Sequence, residues 1–271
     1  MSRDRIITAL DLGSHKIRAA VLLVSQAQDL KVIGYGESFS HGIRRGQVID
    51  LKEAVESIKE AVAMASKNGN VKISKVTIGL GGSHFKLIDS RGAIAVSRAD
   101  GEISQDDVNR VLDSARAISL PANREIIHTI PAEYIIDNDE KTKDPVGMRG
   151  VRLEANTVLI LGSTPVLKMV RKAIQDSGLE LESIVYSPLA VSRAVLTKKQ
   201  RELGTVSVDI GSGSTGISIW EESDLKFASV LPVGSSLITN DVAIGLRIAP
   251  ELSEKVKTEF GCCFAANVSR R

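Results

Sequence analysis

The chain has 271 residues, enough for one large domain or two ordinary ones. Apolar residues make up 43% and charged residues 25%, a globular composition that can bury a sizeable core. Net charge is only +2, bases are scattered among acids, and aromatics are 3%. The basic stripe and stacking aromatics of a nucleic-acid binder are therefore missing, and no nucleic-acid partner is expected.

From the N-terminus, residues 6–11, 17–24 and 30–37 read as three strands separated by turns at 13–16 and 25–29. Such short loops make hairpins, so this part of the sheet is antiparallel. The first apolar stretch stops at Asp11, too soon for a signal peptide, and no run approaches the ~20 residues that span a bilayer. A helix follows over 51–66, with Leu51, Ala54, Val55, Ile58, Ala61, Val62 and Ala65 on one face. Asp50 with Glu53 resembles a capping box, and Asn68-Gly69 is the expected stop. Residues 75–79 form another short strand.

The character changes between 82 and 163. Strands are expected at 91–97, at 126–136 with an interruption at Pro131, and at 157–161. Ser104 with Asp107 caps a helix whose face is Val108, Val111, Leu112 and Ala115. Residues 137–149 are polar and turn-rich. This pattern is a small α+β module inserted into the first unit. Thr164-Pro165 then opens a helix that Gly178 ends, 181–186 is a strand, and Ser187-Pro188 opens a helix to about 196. Residues 198–202 read as a polar hinge. Beyond it the opening pattern restarts with strands at 205–209, 215–220 and 226–232 and helices at 237–245 and 250–260.

The restart is visible residue by residue. Ile7-Thr8-Ala9-Leu10-Asp11-Leu12-Gly13-Ser14 aligns with Thr205-Val206-Ser207-Val208-Asp209-Ile210-Gly211-Ser212. Each copy is a strand ending in Asp-(Leu/Ile)-Gly-Ser that turns into a second strand, and an internal duplication explains both. Glycine lets the backbone approach a ligand closely. Successive exposed N–H groups in such a turn form an anion-binding nest. Ser14, His15 and Lys16 add donors on one side, and Ser212, Gly213, Ser214 and Thr215 add them on the other. Asp11 and Asp209 sit where a carboxylate would hold a hydrated Mg²⁺, which keeps its waters and takes few carboxylates. Two such turns facing each other would clamp a polyphosphate between lobes.

Other candidates are weaker. No Gly-Lys-(Ser/Thr) opens a helix as a Walker loop requires, and Gly79-Leu80-Gly81-Gly82 lacks the spacing of a dinucleotide fingerprint and reads as a linker. Asp106-Asp107 belongs to a helix's first turn, where capping accounts for it. His41, His84 and His128 lack metal-ligand spacing and are expected at the surface or satisfied. No serine sits in a nucleophile elbow, since Gly211-Ser212-Gly213-Ser214-Thr215 precedes a strand. Cys262 and Cys263 are neighbours that make no disulfide framework and no metal pair, so a reducing, cytoplasmic setting is expected.

These residues resemble the actin/Hsp70/sugar-kinase superfamily and, within it, the FtsA family of bacterial cell-division proteins. The likeness runs to about residue 261. It is carried by Ala9-Leu10-Asp11-Leu12-Gly13-Ser14-His15-Lys16-Ile17, by Gly42-Ile43-Arg44-Arg45-Gly46-Gln47-Val48-Ile49-Asp50, and by Val206-Ser207-Val208-Asp209-Ile210-Gly211-Ser212-Gly213. Ile78-Gly79-Leu80-Gly81-Gly82, Val233-Gly234-Ser235-Ser236-Leu237-Ile238-Thr239-Asn240-Asp241-Val242-Ala243 and Glu251-Leu252-Ser253-Glu254-Lys255-Val256-Lys257 add to it. The resemblance implies an α/β actin-like ATPase fold with ribonuclease H-like lobes. A first lobe (1A) would take 1–82 and 163–200, an SHS2-like inserted subdomain (1C) 83–162, and part of a second lobe (2A) 201–261. A tail at 262–271 has no family look.

The resemblance further implies ATP with Mg²⁺ between the lobes, slow hydrolysis at most, and self-association into filaments. Partners would be FtsZ, tethered to the inner membrane, and later division proteins met through 1C. By position, Asp11 to Lys16 match the first phosphate motif and Asp209 to Thr215 the second, with Gly234 and Ser235 near the nucleotide. The family's subdomain 2B, its adenosine motif and its amphipathic membrane helix have no match here. The chain is therefore expected to be a truncated form, attached to membrane only when full-length. A PilM-like pilus-assembly scaffold and a sugar-kinase-type phosphotransferase are the alternatives on the same fold.

Overall fold

The computed structural model describes residues 5–25 and 29–264. The first four residues, the middle (26–28) of the turn expected at 25–29 and the tail from 265 onward lie outside the described residues.

β1 (Arg5–Leu12), β2 (Lys16–Val24) and β3 (Leu30–Phe39) form the expected antiparallel meander. A two-strand hairpin, β4 (Ile43–Arg44) and β5 (Gln47–Val48), leads into α1 (Leu51–Gly69). The Asp50 side chain accepts the Glu53 N–H at 3.0 Å, as a cap should. The helix ends later than its sequence suggests, at Asn70 in the left-handed conformation. The helix lies directly on β3. A Cβ at Gly36 would come within 2.3 Å of the Ala61 carbonyl oxygen, so only glycine admits this approach. β6 (Lys75–Leu80) then pairs parallel to β1 on its other edge.

The inserted module begins with β7 (Lys86–Ala95) and continues through α2 (Gln105–Arg116), β8 (Arg124–Ile136), β9 (Glu140–Thr142) and β10 (Arg152–Ser163). Its sheet has the order β7-β10-β8-β9. It buries a core of its own from Ile103, Val108, Val111, Tyr134, Ile136, Leu153 and Ala155. Pro131 does not break β8. Instead Thr157 pairs with Pro131 and Asn156 with Glu133, so Ala132 is the extra residue of a bulge. Asp107 is fully buried and accepts from Ser104 and Ser97. Burial raises its pKa, but those hydrogen bonds win and hold the carboxyl well below its usual range.

The chain returns to the first lobe with α3 (Thr164–Asp176), β11 (Glu180–Tyr186) and α4 (Ser187–Val195). The cap of α3 is Ser163 and not Thr164, and no side chain bonds there. The first sheet thus has the order β11-β6-β1-β2-β3. The expected hinge is a short helix, α5 (Lys198–Leu203), with a Thr197–Gln200 capping box. The repeat follows as β12 (Thr205–Ile210), β13 (Thr215–Glu221) and β14 (Asp224–Leu231), a three-stranded antiparallel sheet. Then come α6 (Ser236–Leu246) and α7 (Pro250–Phe260). One core joins both parts: Leu10, Ile17, Ile58, Ile78 and Leu167 belong to the same cluster as Trp220, Leu225 and Val230.

Candidate functional site

The repeated turns meet across one cleft of about 750 Å³. From the first lobe it is lined by Asp11, Gly13, Ser14, His15 and Lys16, and from the second by Asp209, Gly211, Ser212, Gly213, Ser214 and Ser235. Each turn is tight for a local reason. A Cβ at Gly13 would come within 2.5 Å of the Lys16 carbonyl oxygen. The Gly211 N–H donates to the Ser214 carbonyl at 2.9 Å, which closes the second turn. The turns also touch each other. A Cβ built on Gly213 would lie 2.6 Å from Ser14 Oγ, and that oxygen accepts the Arg45 N–H at 2.9 Å.

Thr215 and Gly234 lie outside the lining. The Thr215 hydroxyl is spent on the Val233 carbonyl at 2.8 Å. Gly234 backs the second turn, where an added Cβ would come within 2.3 Å of the Ser212 carbonyl oxygen. Ser235 and Ser236 then donate their N–H groups to Gly211 and Ser212. The start of α6 is thereby fastened to the turn.

Several lining residues were not singled out from the sequence. Gly79 and Gly81, read as a linker, instead line the cleft floor, with Gly79 of β6 opposite Asp11 and Gly81 just past the end of the strand. Ser187 and Pro188 bring the first turn of α4 to the same floor. Arg18 is the most consequential omission, with Nη1 3.7 Å from Asp11 Oδ2. A signal for it existed: Arg18 is a charge inside an otherwise apolar run, two residues after Lys16. The Lys16 ammonium is paired with Glu37.

Burial pushes the Asp11 carboxyl up, Arg18 pulls it down, and Asp209 across the cleft pushes it up again. A cation between the two carboxylates would relieve that repulsion. Among the described residues no group of three or more acids, histidines or cysteines could cage a metal. The donor set therefore suits a cation that keeps its waters and rests mainly on a ligand's phosphates, as Mg²⁺ does.

The histidines divide. His41 is exposed, and His128 Nε2 accepts the Tyr186 N–H at 3.0 Å. His84 corrects the sequence reading, because it is buried and neither ring nitrogen has a hydrogen-bond partner. Burial first, and the Arg124 guanidinium second, push its imidazole down to about 4. Cys262 and Cys263 are exposed free thiols.

Two family descriptions match this chain: "SHS2 domain inserted in FTSA" over residues 82–161 and "Cell division protein FtsA" over residues 206–271. The curated Cell division protein FtsA of Pseudomonas aeruginosa is 34% identical over 261 residues, covering 96% of this chain and 62% of that protein. The chain thus spans about three fifths of the length of such relatives. Among solved structures, a PilM-PilN type IV pilus biogenesis complex shares the fold at TM-score 0.67 and 14% identity, over 94% of this chain and 70% of the other. MreB5 of Spiroplasma citri bound to ADP shares it at TM-score 0.51 and 13% identity, over 98% and 65%. The fold is that of an actin-like ATPase carrying an inserted SHS2 subdomain. With both matches falling on FtsA descriptions and the curated likeness extending over nearly all of its length, the chain belongs to the FtsA family of cell-division proteins.

Proposed function

We propose that this chain binds ATP with Mg²⁺ between its lobes and works in cell division as a nucleotide-responsive scaffold. The observation that carries the reading is the contact of the two Asp-x-Gly-Ser turns, with Gly213 against Ser14 across a cleft that also holds both aspartates. In this reading the backbone N–H groups at Gly13–Ser14 and Ser212–Ser214 donate to phosphate oxygens, and the serine hydroxyls of both turns add to them. Lys16 supplies a positive charge, and Asp11 and Asp209 hold the water shell of the cation. His15, another lining residue, packs edge-to-face with Phe39, ring centres 5.7 Å apart. MreB5, which shares the fold, was solved with ADP, and that supports a nucleotide as ligand.

We treat the nucleotide as an assembly ligand, hydrolysed slowly at most. The partners proposed are those of the family: FtsZ, later division proteins meeting the inserted module, and further copies of the chain. Attachment to the inner face of the membrane is proposed for the full-length family form. Among the described residues no helix is long and apolar enough to cross a membrane.

Calorimetry with ATP and Mg²⁺ tests the reading. The chain should bind, and Asp209→Ala should weaken binding about tenfold, or ~1.4 kcal/mol. No heat with the unmodified chain would overturn it. Rapid phosphorylation of a common sugar would point to a phosphotransferase instead.

A further inference from the structure

The two repeats differ at one row of the sheet. In the first lobe Asp11 of β1 stands opposite Arg18 of β2, and Arg18 stands opposite Glu37 of β3. In the second lobe Asp209 stands opposite Gly216, and Gly216 opposite Val230. The turn itself therefore does not need this row of charges, because the second copy folds without it. There the space over Gly216 is taken by Pro188, whose Cγ would lie 3.2 Å from an added Cβ.

The charges of the first row are shared and not simply paired. Arg18 reaches Asp11 Oδ2 at 3.7 Å with Nη1 and Glu37 Oε2 at 3.8 Å with Nε. The other Glu37 oxygen takes the Lys16 ammonium, and the Tyr35 hydroxyl donates to Glu37 Oε2 at 2.8 Å. Lys16 first, and Tyr35 second, hold the Glu37 carboxyl below its usual range. Lys16, Arg18 and Asp11 line the cleft, whereas Glu37 stands behind them on β3. Two cations and two anions make a neutral set in which each carboxylate competes with whatever enters the cleft. Lys16 cannot give its full charge to a phosphate while Glu37 holds it. Asp11 cannot give its full charge to a cation while Arg18 holds it.

We infer that Glu37 is a positioning residue that couples the cation side of the cleft to its phosphate side by an exchange of partners. The inference rests on the nucleotide reading above. When Asp11 turns to a hydrated cation, it gives up Arg18. Arg18 closes on Glu37, to which it is already within 4 Å. Glu37 then releases Lys16, whose ammonium is free for phosphate oxygens. The reverse order works equally: phosphates that draw Lys16 away leave Glu37 to Arg18 and clear Asp11 for the cation. No proton moves, no charge is left without a partner, and by linkage each side strengthens the other by the same factor.

The test is ATP affinity by calorimetry with Mg²⁺ and with EDTA, for the unmodified chain, Glu37→Gln and Glu37→Asp. The ratio of the two affinities measures the coupling, and the chemistry of the Mg²⁺–ATP complex in solution is common to all three. In Glu37→Gln, Lys16 loses its competitor, and Arg18 has only Asp11 left. ATP binding in EDTA should tighten about threefold, and the gain on adding Mg²⁺ should shrink about threefold, the scale of a half-exposed ion pair. Glu37→Asp keeps the charge and should keep most of the coupling. A thermal melt confirms that all three are folded, and Arg18→Gln, which breaks the same exchange at its middle member, should lose the coupling as well. Equal Mg²⁺ gains in the unmodified chain and both Glu37→Gln and Arg18→Gln would overturn the exchange while leaving the nucleotide reading intact. No ATP binding by the unmodified chain would overturn both.

Discussion

In the first lobe Thr8, Leu10 and Leu12 of β1 and Ile17, Ala19 and Val21 of β2 are buried, and all but Thr8 share one core with residues of α1 and α3. Their counterparts in the repeat, Val206, Val208 and Ile210 of β12, are exposed: Leu10 shows 1% of its surface, but Val208 shows 55% and Ile210 70%. β1 has a neighbour on each edge, whereas β12 has only β13 among the described residues. α6 carries the same message, because Ile238 and Ile244 are apolar residues of a short helix and both are exposed. Yet both turns reach the same shape. The difference separates two levels of folding. Turn geometry comes from a few local hydrogen bonds and glycines, and it forms with or without cover. Burial of the strand's apolar face depends on helices that arrive later in the chain.

Mutations test this contrast. The largest effect is expected from Leu10→Ala, which opens a cavity under α1 and should cost about 2–5 kcal/mol by chemical denaturation. The matched change Val208→Ala should cost well under ~1 kcal/mol, since its side chain is already in water. Equal losses at the two positions would show that the β12 face is covered in solution.

His84 marks the first lobe's junction with the inserted module, packed 4.5 Å from Phe85, which packs in turn on Tyr186. Its folded pKa, about 4, lies below the unfolded value of 6.5. Above pH 6.5 neither state binds the proton, so the folded state keeps its full stability. As pH falls from 6.5 to 4 the unfolded state takes up the proton first, and about 2–3 kcal/mol of stability should be lost across that window. Denaturation as a function of pH should show this loss in the unmodified chain and not in His84→Leu.

A smaller effect is expected where the module meets the second lobe. The Lys143 ammonium lies 2.5 Å from Asp224 Oδ1, at the start of β14. Lys143 is more than half exposed, so Lys143→Ala should cost ~0.5 kcal/mol or less. The smallest change in stability belongs to Val208→Lys, under ~0.5 kcal/mol, but it places a charge on an apolar edge strand. Light scattering should show less self-association than in the unmodified chain, and no change would mean that this face is not sticky.

Much of this was legible in the residues. The two Asp-x-Gly-Ser turns, the hairpins around them and the long amphipathic helix after Asp50 carry strong local signals, because their causes lie within a few positions. The hinge expected at 198–202 was misread because its charged residues are also good helix formers, and Thr197 with Gln200 makes a capping box. The cleft floor was missed for another reason. Gly79 and Gly81 carry part of the family likeness, but their place at the site follows from the pairing of β6 with β1 across sixty-odd residues. Glu37 is harder still, since its role depends on the register of three strands. Chain continuity says nothing about which charge stands opposite which.

If two separate turns make one clamp, Gly213→Val should open it. A Cβ at Gly213 would lie 2.6 Å from Ser14 Oγ and 2.8 Å from Ser14 Cβ, so the larger side chain must push the turns apart. It leaves Ser14, Lys16 and Asp11 chemically unchanged. Gly245→Ala, where an added Cβ meets nothing within 4 Å, is the control in the same lobe. ATP affinity by calorimetry with Mg²⁺ should fall at least about tenfold in Gly213→Val and stay unchanged in Gly245→Ala. Full ATP affinity in a folded Gly213→Val chain would contradict the clamp and leave the first turn as the whole site.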